Sequence, residues 1–170
     1  RFTHAEITAQ EGLPIGVTLP EYTLDFVPEI KVPEDAIVDW DAANQKFITA
    51  AEKFPDGTTA KIKSVVYYPD DLFDTVKWHD GSPLDLSDFI YAWIISLDMG
   101  KPESAIYDEA YAANAEAILA NYKGFRILSE SPLTIEAYSD AYQTDAELNI
   151  TTMWPSFSYG EAPWHLLAAG

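Results

Sequence analysis

Cysteine is absent from the 170 residues, which excludes a disulfide framework, a thiolate metal site and a cysteine nucleophile by inventory. Basic residues are scarce: 10 Lys and Arg stand against 28 Asp and Glu, a formal net charge of -18. Binding to nucleic acid or to an anionic membrane requires clustered Lys and Arg to meet the phosphate field. No such cluster occurs, and the acids are spread without a block, as on a solvated surface. No apolar run approaches the roughly eighteen residues of a membrane span, and no basic start followed by an apolar core marks a signal peptide. The nucleophile elbow G-x-S-x-G, a phosphate-binding glycine loop and a dinucleotide fingerprint are all missing. The histidines, His4, His79 and His165, lack the H-x-x-x-H spacing of a zinc helix.

Hydrophobic residues make up 48% of the chain and aromatics 14%. A chain near this length hides roughly 70% of its unfolded surface, so one compact domain over residues 1–170 is expected. The chain starts at Arg1 without Met and ends on L-L-A-A-G, just after a helix start at Pro163. That is expected of a piece of something longer.

Residues 1–33 carry Gly12, Pro14, Gly16, Pro20, Pro28 and Pro33, which interrupt regular backbone often. They predict an irregular leader with one short strand over Tyr22–Val27. A-I-V-D-W-D and K-F-I-T-A-A predict a strand pair around the turn A-A-N-Q, with Ile37 and Phe47 as apolar members. After the Pro-Asp-Gly turn, residues 60–68 place Ile62, Ser64, Val66 and Tyr68 on one face at a period of two. Residues 69–74 read as a loop and 76–78 as a strand end. Connections this short predict a mainly antiparallel sheet.

Leu86, Phe89, Ile90, Trp93, Ile94 and Leu97 fall on one helical stripe. Asp85 is the expected N-cap, Asp88 supports it, and Gly100 with Pro102 ends the helix. A second, less buried helix is expected over 104–121, rich in alanine. K-G-F-R-I-L-S-E and S-P-L-T-I-E-A-Y-S predict two strands joined at residues 130–132, with Phe125, Ile127, Leu133 and Ile135 in the core. The fold class is therefore α+β, a mainly antiparallel sheet packed against two or more helices.

Candidate chemistry is sparse. His79 beside Asp80 has the composition of a general base, but D-G-S-P is a tight-turn signal that accounts for both residues structurally. Asp39, Asp41 and Asn44 offer oxygen ligands at near-alternating positions, without the glycine and distal glutamate of a calcium loop; a hairpin turn is favoured, and no metal or cofactor is expected. A carboxylate pair for glycoside hydrolysis forms in space and not in sequence, so it stays open. Tyr107, Asp108, Tyr111, Trp154, Tyr159 and Trp164 have the side chains of an aromatic cleft, and core packing explains them equally well.

The stretch V-K-W-H-D-G-S-P-L-D-L-S-D-F-I-Y-A-W resembles the signature of the family 5 extracellular solute-binding proteins, the peptide- and nickel-type receptors of ABC importers. Trp78, Asp80, Gly81, Pro83, Asp88, Phe89 and Tyr91 match it, and Asp85 stands where threonine is commoner. The S-A-I-Y-D-E segment and the strand pair G-F-R-I-L-S-E and P-L-T-I-E-A-Y follow in the family's order. The resemblance implies a segment of lobe I of a two-lobed fold of the type II periplasmic-binding-protein kind. It further implies a non-enzymatic receptor, extracellular or periplasmic, free or held by a lipid anchor. Its partners would be a small solute such as a peptide, the remaining lobe of the same polypeptide and the permease subunits. By the same analogy residues 104–109 approach the cleft, and Tyr107 and Asp108 are the ligand contacts. The alternatives are a secreted carbohydrate-active hydrolase and a stand-alone interaction module.

Overall fold

The computed structural model describes residues 2–17, 19–153 and 162–169, with side chains of 151–153 left aside. Its centre is a seven-stranded sheet in the order β2-β1-β7-β9-β8-β4-β5. The strands are β1 (His4–Gln10), β2 (Tyr22–Val27), β4 (Ile37–Asp41), β5 (Lys46–Thr49), β7 (Ile62–Tyr67), β8 (Tyr122–Glu130) and β9 (Leu133–Ser139). A separate two-stranded ribbon pairs β3 (Ile30–Lys31) with β6 (Thr59–Ala60). Every pairing is antiparallel except β1 with β2, so the fold is α+β with a mainly antiparallel sheet.

Residues 1–33 are more regular than their Pro and Gly content predicts. His4–Gln10 forms a full strand inside the sheet, between β2 and β7. Ala5, Ile7 and Ala9 are its buried members, alternating with polar neighbours at the strand period. The Pro and Gly residues fall instead in the connections from β1 to β2, β2 to β3 and β3 to β4. Other boundaries shift as well. The T-A-A that reads as strand begins α1 (Ala50–Lys53), because Thr49 and Glu52 form a reciprocal capping box. The loop after β7 contains α2 (Leu72–Thr75), and residues 76–78 contribute only an isolated bridge from Lys77 to Pro83.

The main helix, α3 (Leu86–Asp98), lies over one sheet face. Trp93 is 1% exposed and meets Phe125 of β8 edge-on at 5.2 Å, with Phe47 at 6.0 Å on its other side. Such pairs add roughly 1 kcal/mol beyond their area burial. Ala5, Ile7, Ile62, Val66, Leu97 and Ala137 complete this layer. On the opposite face Ile30, Val32, Ala36, Val38, Ala60 and Tyr138 pack beneath the ribbon and α1. Strand β9 is buried along its whole length, being central and covered on both sides.

The second long helix, α4 (Glu109–Asn121), starts five residues later than its alanine content predicts. Only Ala115 is buried in it, as its weak apolar stripe leads one to expect. Gly100 sits against it: a Cβ there would lie 2.4 Å from Ala115 Cβ, so the two helices approach this closely only because residue 100 has no side chain. Two further helices are α5 (Ala146–Met153) and α6 (Trp164–Ala169).

Candidate functional site

The loop between α3 and α4 carries Tyr107 and Asp108, and its shape is dictated by polar groups beneath it. Asp98, at the end of α3, is 6% exposed. Its carboxylate accepts from Trp40 Nε1 at 2.8 Å, Gln45 Nε2 at 3.3 Å and Ser104 Oγ at 2.7 Å. Ser104 in turn accepts the Ile106 amide at 3.1 Å. Lys101 donates to Asp39 Oδ1 at 2.5 Å and also to the Trp40 carbonyl, while Lys53 reaches Asp39 Oδ2 at 2.9 Å. A buried charge of this kind is tolerated only when it is paired and hydrogen-bonded. Burial works to raise the pKa of Asp39, but the hydrogen bonds from Lys101 and Lys53 outweigh it and hold the carboxyl below its ordinary value.

Backbone bonds finish the loop. Ser104 N–H donates to Lys101 O at 2.9 Å, Tyr107 N–H to Ser104 O at 3.3 Å, and Asp108 N–H to Met99 O at 2.9 Å. Asp108 then caps α4, accepting from the Ala110 amide at 2.9 Å. What these tethers present outward is apolar: Ile106 is 50% exposed and Tyr107 41%. The corner is thus ordered from below and carries an aromatic ring, an aliphatic side chain and the carboxylates of Glu103, Asp108 and Glu109 on its exposed side. It can offer a stacking face, an apolar contact and negative charge to a ligand. The hydroxyl–carboxylate pair beneath it, Ser104 with Asp98, is buried.

The residues proposed for an aromatic cleft do not all converge. Tyr107, Asp108 and Tyr111 share the corner, the Tyr111 amide donating to Asp108 O at 2.9 Å. Trp164 belongs to the far end of α3: its amide donates to Asp88 Oδ1 at 2.8 Å and its indole to Asp85 Oδ2 at 3.2 Å. Thirteen helical residues separate the two ends, about 20 Å at 1.5 Å per residue. Trp154 and Tyr159 lie outside the described residues. A scan of protein-family models finds no match for the chain, and none of the curated proteins matches it.

The stretch around His79 is a corner in detail. Asp80 accepts from the Ser82 amide at 2.9 Å and from Ser82 Oγ at 2.6 Å. Those two bonds, the hydroxyl's first, hold its carboxyl below the ordinary value. Gly81 has φ of +88°, a conformation that disfavours a Cβ, and its amide closes on Trp78 O at 2.9 Å. Asp85 then accepts from the Ser87 amide at 2.7 Å while Asp88 accepts from the Asp85 amide at 2.8 Å, a reciprocal cap on α3. No hydrogen bond joins His79 to Asp80.

Asp41 likewise spends its carboxylate on a turn, accepting from the Asn44 amide at 3.0 Å and Asn44 Nδ2 at 2.8 Å. With Asp39 held by two lysines, the three oxygen donors read as a possible calcium set do not face one point. Among the described residues no group of three or more His, Asp or Glu is placed to hold a metal ion. On the other sheet face Glu136 accepts from Arg126 Nε at 3.0 Å, Arg126 Nη2 at 2.9 Å and Tyr138 Oη at 2.5 Å. Burial first, and then the hydrogen bond to Glu136 and its charge, push the Tyr138 phenol well above its ordinary value. The Asp39–Asp98 network is not legible from the chain order because its members are remote in sequence, and the Arg126–Glu136–Tyr138 one because it depends on the pairing of β8 with β9 and its residues are ordinary in type.

Proposed function

We propose that the chain is part of an extracellular solute-binding protein that captures a small solute, such as a peptide, and delivers it to an ABC importer. The observation that carries this reading is the corner from Trp78 to Asp88. The residues that resemble the family 5 signature, W-H-D-G-S-P-L-D-L-S-D, are spent on an Asp-Gly turn, a bridge to Pro83 and a capping box. A motif with that use is a mark of architecture, which is what a receptor signature without chemistry has to be. The α+β fold and the pre-ordered Tyr107–Asp108 corner are compatible with it.

Capture then works by closure of the whole protein around the solute, driven by higher affinity in the closed state. Tyr107 supplies the stacking face and Asp108 the charge at one wall. The protein acts outside the cytoplasmic membrane, as a lipoprotein or a free periplasmic protein; among the described residues no helix is long and apolar enough to cross a membrane. Its partners are the solute, the rest of the polypeptide and the permease subunits. The carbohydrate hydrolase alternative needs two facing carboxyl groups; two of the surface cavities, one beside Glu34 and one beside Glu21, each have a single acid in their wall.

A thermal-shift screen of the full-length protein against short peptides, sugars and nickel complexes tests the proposal. A receptor is stabilised by about 2.7 kcal/mol at a ligand concentration one hundred times Kd. The result that overturns the proposal is a full panel with no saturable stabilisation.

A further inference from the structure

Strand β2 stands at one end of the seven-stranded sheet, with β1 on its inner side and, among the described residues, no strand on its outer side. Its register with β1 runs unbroken through six pairs, from Ala5 with Tyr22 to Gln10 with Val27. The Ala5 amide donates to Glu21 O at 3.0 Å and the Glu11 amide to Val27 O at 2.9 Å, which fixes the phase of this parallel ladder. Residues 21, 23, 25 and 27 bond inward, so the N–H and C=O groups of Leu24 and Phe26 point out of the sheet. Among the described residues no backbone bond closes that side of either one.

Sheet edges are ordinarily guarded by shortness, lysine, proline or a bulge. The opposite edge, β5, has such guards: it is four residues long, starts with Lys46, and its ladder to β4 is interrupted between Ile37 and Asp39. Strand β2 has six residues without Pro or Lys. On the α3 side of the sheet it carries Leu24 and Phe26, the latter 44% exposed. Its other face is acidic: Asp25 is exposed there, Glu21 precedes the strand on the same side, and Glu6 of β1 lies beside Thr23. No Lys or Arg occurs between Arg1 and Lys31. By register Lys63 of β7 is two strands in from Asp25, about 10 Å at the usual strand spacing. A strand added here meets apolar side chains on one face and carboxylates on the other. A second copy would bring a net charge of -18 against -18 and lay its own Glu21 and Asp25 along the same edge, where like charges repel.

We propose that the outer edge of β2 is an interaction surface that takes up, as an eighth strand, an extended segment of a partner protein in which basic and apolar residues alternate. The backbone groups of Leu24 and Phe26 supply the hydrogen bonds, and the two faces select the side chains. The surface shares no residue with the Tyr107–Asp108 corner and stands whether or not the chain serves a solute importer. The test is an amide-resolved NMR titration of the full chain with an end-blocked peptide of about seven alternating Lys and Val residues, long enough to span the strand, beside its Glu–Val counterpart. The Lys–Val peptide is expected to shift the Leu24, Asp25 and Phe26 amides saturably, to slow hydrogen exchange at Leu24 and Phe26, and to bind about tenfold more tightly than Glu–Val. Phe26→Pro removes an outward donor that the β1 ladder does not use and should weaken binding about fivefold; Asp25→Lys should do the same through charge. Asp25 is exposed, so its variant carries the test if Phe26→Pro fails to fold. Equal binding of the two peptides, shifts mapping elsewhere, no saturation, or an unchanged affinity in Asp25→Lys overturns the proposal. So does concentration-dependent protection of Leu24 and Phe26 without peptide, which would give the edge to a second copy.

Discussion

Asp39 is the residue on which the underside of the α3–α4 corner turns. Lys53 and Lys101 both end on its carboxylate, and removing a carboxylate from such a half-buried cluster leaves the lysines facing each other. Asp39→Ala should cost about 3 kcal/mol, measured by urea unfolding at neutral pH. The pH dependence has a definite sign. A folded-state pKa below the ordinary 3.8 contributes stability that is full above the unfolded value and is lost as pH falls through the folded one. The gap between the wild type and Asp39→Asn should therefore be constant from neutrality to about pH 5 and narrow below about pH 4; a gap that widens on acidification contradicts this. Gly124 is a second single-residue constraint. Its φ is +123°, and a Cβ there would lie 2.9 Å from Val38 Cγ1 and 3.1 Å from Ala36 Cβ. Gly124→Ala combines backbone strain with overpacking and should cost about 2–3 kcal/mol by the same assay.

Among elements, α3 is anchored at both ends. At its start Asp85 accepts from the Ser87 amide and the Trp164 indole together, so Asp85→Ala should cost about 1–2 kcal/mol and speed amide exchange in α6 as well as in the first turn of α3. Exchange changes confined to α3 would deny the link to α6. At its end the close approach of α4 depends on Gly100. Gly100→Ala should destabilise by about 1–3 kcal/mol, and adding Ala115→Gly should recover part of that, less about 1 kcal/mol for a glycine inside a helix. Chevron or equilibrium unfolding of the two single variants and the double measures the coupling. The apolar stripe and the caps made α3 readable from its own residues, as alternation did for β7 and the Pro132 turn for β8 and β9. Strand β1 escaped because Ala5 and Ala9 are weak strand formers and only Ile7 signals burial. The late start of α4 escaped because nothing local tells that Ser104 bonds to Asp98 and not to its own helix.

At the scale of the whole molecule, the charge of -18 sits on a fold whose deepest carboxylates are almost all committed. Asp39 and Asp98 hold the corner, Asp88 caps α3, and Glu136 grips Arg126 and Tyr138. The candidate contacts Tyr107 and Asp108 were legible only through the family resemblance; that their loop is ordered from below by Asp98, Lys101 and Ser104 is a tertiary fact without a sequence signal. The central claim is that this fold captures a solute without transforming it. The most direct measurement is a calorimetric titration of the full-length protein with a solute found by screening, followed by mass analysis of the recovered solute. The account predicts saturable binding, an unchanged solute mass and an affinity about tenfold lower in Tyr107→Ala. A cleaved or otherwise altered solute, or binding indifferent to Tyr107→Ala, contradicts it.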